Sequence, residues 1–279
     1  MEKEKSARFK GVLFRPISGS WPPKLSQNLE IPEAPKATIA PDEPIYEFDN
    51  RKVSIKYVKL QNFTKNRAGR AKSYIEKFGE SDEDKHKIYA PQVPGDAVKR
   101  LKPQGWINDE LITFCSKNLY SLFCGEHSKF STLVFPIFFL TKLFQHGHAQ
   151  LDGKLDIPEC ANVIYRYTKV LDLKVFDSIV IFGNPGGLHW NLFVIFPQSK
   201  RIELMDSSGA DKPCIEKLAG IWKFLYAYGV KTGYQIVDKS WKLLHSRPKN
   251  PRQRDGHNCG VFSIMSMVAN HQRVDPGFI

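Results

Sequence analysis

The sequence lacks a long apolar run, a signal-like beginning and an even set of cysteines. No window approaches the roughly eighteen consecutive apolar residues of a membrane helix, and the first residues, MEKEKSARFK, are charged. We therefore expect neither a membrane span nor a secretory signal. The five cysteines are odd in number and none belongs to a CxxC pair. This pattern excludes a disulfide framework and a CxxC zinc site, and it favours a reducing compartment, the nucleus or the cytoplasm.

The composition is that of a folded protein with a basic surface. Of the 279 residues, 42% are hydrophobic and 12% aromatic, which is enough for a sizeable core. The formal net charge of +12 favours an acidic partner: a nucleic acid, an anionic surface or an acidic protein. Charge alone does not choose among these.

The N-terminal third differs in character from the rest of the chain. Ten of the 18 prolines lie in the first 103 residues, and residues 17–44 show neither a helical nor a strand period. We predict that residues 1–95 form a mostly disordered, basic, proline-containing extension and that residues 96–279 form a packed domain. The basic run at 65–72 is compatible with nuclear import, with a weak nucleic-acid contact or with a solvated loop.

The packed domain alternates between helical and strand-like patterns. A helix is predicted to begin at Asn108 or Asp109, and further helices are predicted at 215–228 and after Gly260. Strands are predicted at 178–183, 190–196, 201–206 and 234–237. Together they indicate an α+β domain, a small mostly antiparallel sheet flanked by helices.

Two polar residues are predicted to meet at the open end of a hairpin. His189 lies directly before the second strand and Asp206 ends the third. Their midpoint falls in the predicted turn at 197–200, so an antiparallel pairing places the two residues side by side.

A third polar segment, residues 251–260, runs into the last predicted helix. It places Cys259 at a helix N-terminus, where the helix dipole and a neighbouring imidazolium both lower the pKa of a thiol. A thiolate suits nucleophilic catalysis, and a histidine oriented by an aspartate completes a triad. The side-chain amide of Gln253 and the backbone N–H of Cys259 are candidate donors to an oxyanion. His257 competes with His189 as the base, although its closeness to Cys259 along the chain favours an orientation away from the thiol.

The remaining cysteines and histidines have simpler interpretations. We expect Cys115, Cys124, Cys160 and Cys214 to act as small buried hydrophobes. His146 and His148 have no third ligand at a useful spacing, so no metal site is predicted.

Taken together, these segments resemble a known family. Four motifs match the ubiquitin-like-protein proteases, which are SUMO/sentrin-specific and adenovirus-protease-like cysteine peptidases: residues 105–112, 188–190, 204–207 and 253–262. The resemblance covers about residues 97–270. It implies a papain-like, adenovirus-protease-like catalytic domain that needs no cofactor.

The resemblance also implies roles for individual residues. His189 would be the base, Asp206 its orienting residue, Cys259 the nucleophile and Gln253 an oxyanion donor. Trp106 and Trp190 would flank a narrow tunnel that admits the Gly-Gly tail of a ubiquitin-like modifier, with SUMO the expected modifier, although both also suit a core position. Asp109 would meet a basic residue on the modifier, or cap its helix. We expect a monomer that cleaves after Gly-Gly, in precursor processing or in deconjugation.

Two departures from the family and two other functions stay open at this stage. Asp255 and Asn258 stand where the family usually has Asn and Asp, and the chain stops 20 residues after Cys259, which suggests a fragment or a divergent form. The same triad also suits an acetyltransferase that uses a thioester donor. A protein that has lost catalysis and binds a modifier or nucleic acid is the third alternative.

Overall fold

We describe the fold from a computed structural model and number its helices and its strands separately along the chain. The described residues are 31–43, 88–90, 93–124, 131–144, 172–184, 187–248 and 250–273. The helices are α1 (Gly95–Lys99), α2 (Asp109–Cys124), α3 (Phe139–Phe144), α4 (Lys212–Thr232) and α5 (Cys259–Gln272). The strands are β1 (Ala37–Ile39), β2 (Ile88–Ala90), β3 (Val93–Pro94), β4 (Thr132–Val134), β5 (Ser178–Gly183), β6 (Asn191–Phe196), β7 (Arg201–Met205) and β8 (Lys242–His245). The basic run at 65–72, His146, His148 and Cys160 lie outside the described residues.

The α+β class is confirmed by a six-stranded sheet with helices on both faces. Its strand order is β1-β8-β7-β6-β5-β4, and β2 and β3 form a separate two-stranded pair. The predicted strands at 178–183, 190–196 and 201–206 correspond to β5, β6 and β7, which form an antiparallel meander. Residues 197–200 form the turn between β6 and β7, as predicted.

The central strands read as continuous apolar runs because both faces of the sheet are covered. Successive side chains alternate between the two faces. On one face, Ile181 and Phe193 pack in a cluster with Trp222 of α4. On the other face, Phe182 and Val194 pack with residues of α2 and α5. Helix α5, which begins at Cys259, is therefore held against the sheet by its apolar side.

Two details of the predicted sheet are wrong. The sheet is mixed rather than mostly antiparallel, since the pairings β4–β5, β7–β8 and β1–β8 among the described strands are parallel. Helix α4 crosses from the end of β7 to the start of β8, and such a crossover produces a parallel neighbour. The strand predicted at 234–237 is irregular chain, and the strand lies instead at β8, five residues farther on.

Part of the predicted N-terminal extension belongs to the sheet. Strand β1 pairs in parallel with β8, with Ala37 opposite Leu243, and the N–H of Ala40 donates to the carbonyl of His245 at 2.7 Å. The predicted extension, residues 1–95, therefore contains an ordered segment that the sequence pattern does not indicate, and the mostly disordered character of the extension stays a prediction. Main-chain hydrogen bonds to an edge strand order it, and such bonds require no apolar period in the sequence.

The N-terminal segment after β1 is held at the edge of the sheet by Arg247, which also forms a buried ion pair with Glu203. Arg247 and Glu203 are 2% and 0% exposed, and the guanidinium Nη2 donates to Glu203 Oε2 at 3.0 Å, with Nε donating to Oε1. The Nη1 atom of Arg247 donates to the carbonyls of Pro41 and Glu43. One arginine thus joins β7, the chain after β8 and the N-terminal segment.

Candidate active site

The structure brings His189 and Asp206 into direct contact. His189 Nε2 lies 2.8 Å from Asp206 Oδ1, and Asp206 is 6% exposed. The sheet register pairs Leu192 with Met205, so His189 and Asp206 are diagonal neighbours rather than the directly opposed pair that the sequence predicts. Because side chains alternate with a period of two, a register difference of two residues keeps both groups on the same face.

Cys259 is the first residue of α5, as the sequence predicts, and lies against the same histidine. The thiol hydrogen-bonds with His189 and accepts from the backbone N–H of Trp190. A Cβ atom at Gly260 would lie 3.0 Å from Ile107 Cβ and 3.2 Å from Trp190 Cδ1, so the helix begins in close contact with both residues. Glycine permits this approach, which places the start of the helix beside the end of the hairpin.

The electrostatics of the site favour a thiolate and an imidazolium. Burial acts to raise the pKa of the Cys259 thiol, but hydrogen bonds from His189 and the backbone, with the charge of His189, hold that pKa below its ordinary value. Hydrogen bonds with Asp206 and Cys259 raise the pKa of His189 to about 10, against the opposing effect of burial. Burial also acts to raise the pKa of Asp206, but the contact with His189 keeps it lowered and the carboxylate ionised.

The other cysteines whose side chains are described have raised rather than lowered pKa values. Burial raises the pKa of Cys115 to about 11 and that of Cys214 to about 12. Cys214 is 1% exposed and Cys115 packs beside the core cluster, so both behave as the small hydrophobes that the sequence predicts. Only Cys259, among the cysteines whose side chains are described, combines a lowered pKa with a partner base.

We expect iodoacetamide to alkylate Cys259 selectively at pH 6. The thiolate is the reacting species, and at that pH the raised pKa values of Cys115 and Cys214 leave those residues as thiols. His189→Ala should slow alkylation of Cys259 at pH 6 by at least about tenfold, because each unit of rise in the thiol pKa lowers the thiolate fraction about tenfold. Peptide mass spectrometry over time gives the rate at each cysteine. Equal rates at Cys259 and Cys115 in the unaltered protein would contradict this picture.

Gln253 is held beside the site from two sides. Its Oε1 accepts a hydrogen bond from Ser207 Oγ at 2.6 Å, and its Nε2 donates to the carbonyl of Asp255 at 2.7 Å. An amide nitrogen carries two hydrogens, and this bond uses one of them. The geometry therefore leaves Gln253 able to donate to an oxygen in the site.

Sequence reasoning missed two serines that complete the polar network. Ser208 Oγ lies 3.1 Å from His189 Nε2 and donates to Asp206 Oδ1 at 2.9 Å, and the N–H of Ser208 donates to the same oxygen. Ser207 orients Gln253. The segment Asp-Ser-Ser-Gly indicates a turn in which the aspartate bonds the backbone two residues on, but it does not show where the hydroxyl groups point.

The two tryptophans occupy different environments. Trp190 is 6% exposed and its Nε1 donates to the carbonyl of Ile107 at 2.7 Å, whereas Trp106 is 43% exposed. The interpretation as core aromatics therefore holds for Trp190 but not for Trp106. An exposed indole next to the residue that anchors Trp190 is available to a ligand.

The structure bears on two alternatives from the sequence: Asp109 as the cap of its helix, and His257 as the base. Asn108 caps α2, since its Oδ1 accepts from the N–H of Leu111 at 3.2 Å, so capping does not require Asp109. Asp109 is partly exposed in the first turn of that helix. The imidazole of His257 lies 3.6 Å from Asp255 Oδ1, and the bond to Cys259 comes from His189.

Within the described segments, no helix is both long and apolar enough to cross a membrane. Nor do the described residues contain a group of three or more histidine, cysteine or acidic side chains arranged to hold a metal ion. The chemistry available at the site is that of a thiolate, an imidazolium, a carboxylate and amide donors.

Comparison with known proteins places this geometry in a family. Residues 105–274 match the model of the Ulp1 protease family, C-terminal catalytic domain. A sentrin-specific protease of Caenorhabditis elegans is 26% identical over 173 residues, which is 62% of this chain and 22% of that protein. Ubiquitin-like-specific protease 1 of Saccharomyces cerevisiae is 25% identical over 172 residues, 61% of this chain and 24% of that protein. The chain thus spans about a quarter of the length of these two relatives.

Solved structures share the fold. The C-terminal Ulp1 protease domain in complex with Smt3, the yeast ortholog of SUMO, has a TM-score of 0.56 at 20% identity, with 74% of this chain and 84% of that chain covered. The SUMO protease Ulp1 with its catalytic cysteine oxidised to a sulfinic acid has a TM-score of 0.57 at 22% identity over the same shares.

Proposed function

The chain belongs to the Ulp1 protease family, and we propose that it is a cysteine peptidase that cleaves after the C-terminal Gly-Gly of a SUMO-type modifier. The observation that carries the proposal is the contact of one imidazole with both the Asp206 carboxylate and the Cys259 thiol. In this proposal Cys259 is the nucleophile, His189 the acid and base, and Asp206 the residue that orients it.

In the acylation step, the thiolate of Cys259 supplies the nucleophile and the imidazolium of His189 supplies the acid. The thiolate of Cys259 attacks the carbonyl carbon of the last glycine, a C–S bond forms, and the carbonyl electron pair moves to oxygen. Gln253 Nε2 and the backbone N–H of Cys259 donate to this oxyanion. When the intermediate collapses, the C–N bond breaks and His189 gives its proton to the leaving amine.

Hydrolysis of the thioester returns the site to its first state. Neutral His189 takes a proton from water, and the resulting hydroxide attacks the thioester carbon. The C–S bond then breaks, so that the thiolate and the imidazolium form again and the modifier leaves with a free carboxyl group. Asp206 stabilises the imidazolium in both steps.

The substrate proposal depends on the site's shape and on the relatives. Trp106, exposed beside the Trp190–Ile107 contact, offers a flat wall along which a tail with no side chains can lie. In this proposal Asp109, which is partly exposed in the first turn of α2, meets a basic group of the modifier. The curated relatives carry the names of sentrin- and ubiquitin-like-specific proteases, and an acidic modifier would suit the net charge of +12.

A panel of modifiers with a C-terminal propargylamide tests the proposal. We expect the SUMO probe to form a covalent band that is lost in Cys259→Ala, because only a thiolate at that position attacks the electrophile. Ubiquitin and the other modifiers serve as controls for specificity, read by gel shift and by mass spectrometry of the Cys259 peptide.

The absence of a band with every probe would contradict the proposal and favour a protein that binds without cleaving. A band with a different modifier alone would retain the peptidase and change its substrate. The nuclear or cytoplasmic location, the monomeric state and the nucleic-acid contact of the basic N-terminal region stay predictions.

A further inference from the structure

A dense polar cluster before Cys259 centres on Asp255, which the mechanism above does not use. Asp255 Oδ1 accepts from the N–H groups of His257 and Asn258 at 2.9 and 2.8 Å, and Oδ2 accepts from Asn258 Nδ2 at 2.8 Å. These donors hold the pKa of Asp255 below its usual range, so the carboxylate is charged. It therefore fixes the turn at 255–258, the last residue of which immediately precedes Cys259.

The same residue also reaches the oxyanion donor through its backbone. The carbonyl oxygen of Asp255 accepts the hydrogen bond from Gln253 Nε2. The direction of that carbonyl is set by the turn, and the turn is set by the carboxylate. A change in the Asp255 side chain therefore moves the partner of Gln253 without touching Gln253.

Asp255 and Asn258 also form a complementary acid–amide pair. An acid at 255 needs a donor at 258, which the amide supplies. The pairing would serve equally with the acid and the amide exchanged, because one member would still accept and the other donate. Two acids at these positions would instead place two charged oxygens in contact.

We propose that Asp255, paired with Asn258, is a positioning residue for the oxyanion hole: it fixes the turn that aims Gln253 Nε2 and the N–H of Cys259. The inference rests on the proposed function, since that function assigns both donors to the oxyanion. It explains how the loop stays ordered although Asp255 and Asn258 stand where the family usually has Asn and Asp.

Two small reagents separate positioning of the oxyanion donors from activation of the thiol. Acylation of Cys259 by p-nitrophenyl acetate forms a C–S bond, passes through a tetrahedral oxyanion and releases p-nitrophenolate. Alkylation by iodoacetamide forms a C–S bond and releases iodide with no oxyanion. The ratio of the two rates at Cys259, read by peptide mass spectrometry, therefore reports on the donors alone. Neither reagent requires a modifier, so the result is independent of the propargylamide panel.

Asp255→Ala is expected to lower the acylation rate by at least about tenfold, because misplaced donors lose part of the ~10²–10³-fold that one such donor supplies. The alkylation rate should stay within about threefold. Gln253→Ala should show the same pattern. Asp255→Asn should keep most of the acylation rate, since its amide oxygen still accepts the two N–H groups and the Asn258 amide can turn to face it. Arg254→Ala, an exposed residue of the same loop, is the matched control and should change neither rate.

A variant in which the acid and the amide are exchanged tests whether Asp255 and Asn258 act as a pair. Asn258→Asp should lower the ratio of acylation to alkylation, and adding Asp255→Asn to it should restore that ratio to within about threefold of the unaltered protein. Thermal unfolding of each variant checks that the fold is retained. An equal fall in both rates in Asp255→Ala, an unchanged acylation rate, or no recovery in the exchanged pair would overturn the proposal.

Discussion

Replacing Cys259 by alanine is expected to abolish cleavage of a SUMO–amide reporter, with a loss of at least about 10⁴-fold in kcat/KM. The change removes the one described sulfur that contacts His189, and the remaining groups of the site offer no comparable nucleophile. The side chain is 3% exposed and alanine is smaller, so the fold should persist. Reporter fluorescence gives the rate, and a binding isotherm for the uncleaved modifier should show affinity similar to that of the unaltered protein.

Cys115→Ala is the matched control for this experiment. Cys115 is another cysteine on a helix, but burial raises its pKa to about 11 and no catalytic group contacts it in the described structure. Its loss should leave most of the activity. Comparable activity in Cys259→Ala and the unaltered protein would remove Cys259 from the mechanism, whatever the modifier.

Replacing Arg247 by methionine is expected to destabilise the protein by about 3–5 kcal/mol, because the charge of Glu203 would remain buried without its partner. For a domain of this size such a loss lowers Tm on the order of 10 °C. The same change removes the Nη1 donor to the carbonyls of Pro41 and Glu43. Thermal unfolding gives the first effect, and limited proteolysis within residues 31–43 gives the second.

A double variant separates these two effects. Glu203→Met with Arg247→Met removes both charges at similar volume, and a buried pair replaced in this way is often close to neutral in stability. We expect Tm to recover while residues 31–43 remain as sensitive to protease as in the single variant. A single variant with unchanged Tm and unchanged protection would show that the ion pair stabilises neither the sheet nor its edge.

The sequence predicted the parts of the fold that depend on local patterns. Strands β5 to β7 are buried on both faces and are bounded by turn residues, so their apolar runs showed the meander and its turn. The start of α5 at Cys259 followed from a polar loop that runs into a helical stripe. The contact between His189 and Asp206 needed only antiparallel pairing and the correct face.

The rest depended on contacts between distant parts of the chain. Strand β1 has three residues, of which Ile39 is 67% exposed, so it carries no apolar period to detect. The parallel position of β8 depends on the path of α4 across the sheet. The hydroxyl of Ser208 and the carboxylate of Asp255 act through side-chain directions, and local patterns do not specify those directions.

The pairing of β1 with β8 matters for choosing where to cut the gene. A polypeptide limited to residues 105–274, the span that matches the family, would lack β1 and leave the backbone N–H and C=O groups along one side of β8 unpaired. Bare strand borders of that sort attract other chains and promote aggregation. A recombinant protein that starts before residue 31 keeps this edge of β8 covered, so solubility in expression trials depends on amino acids more than 200 positions upstream of Cys259.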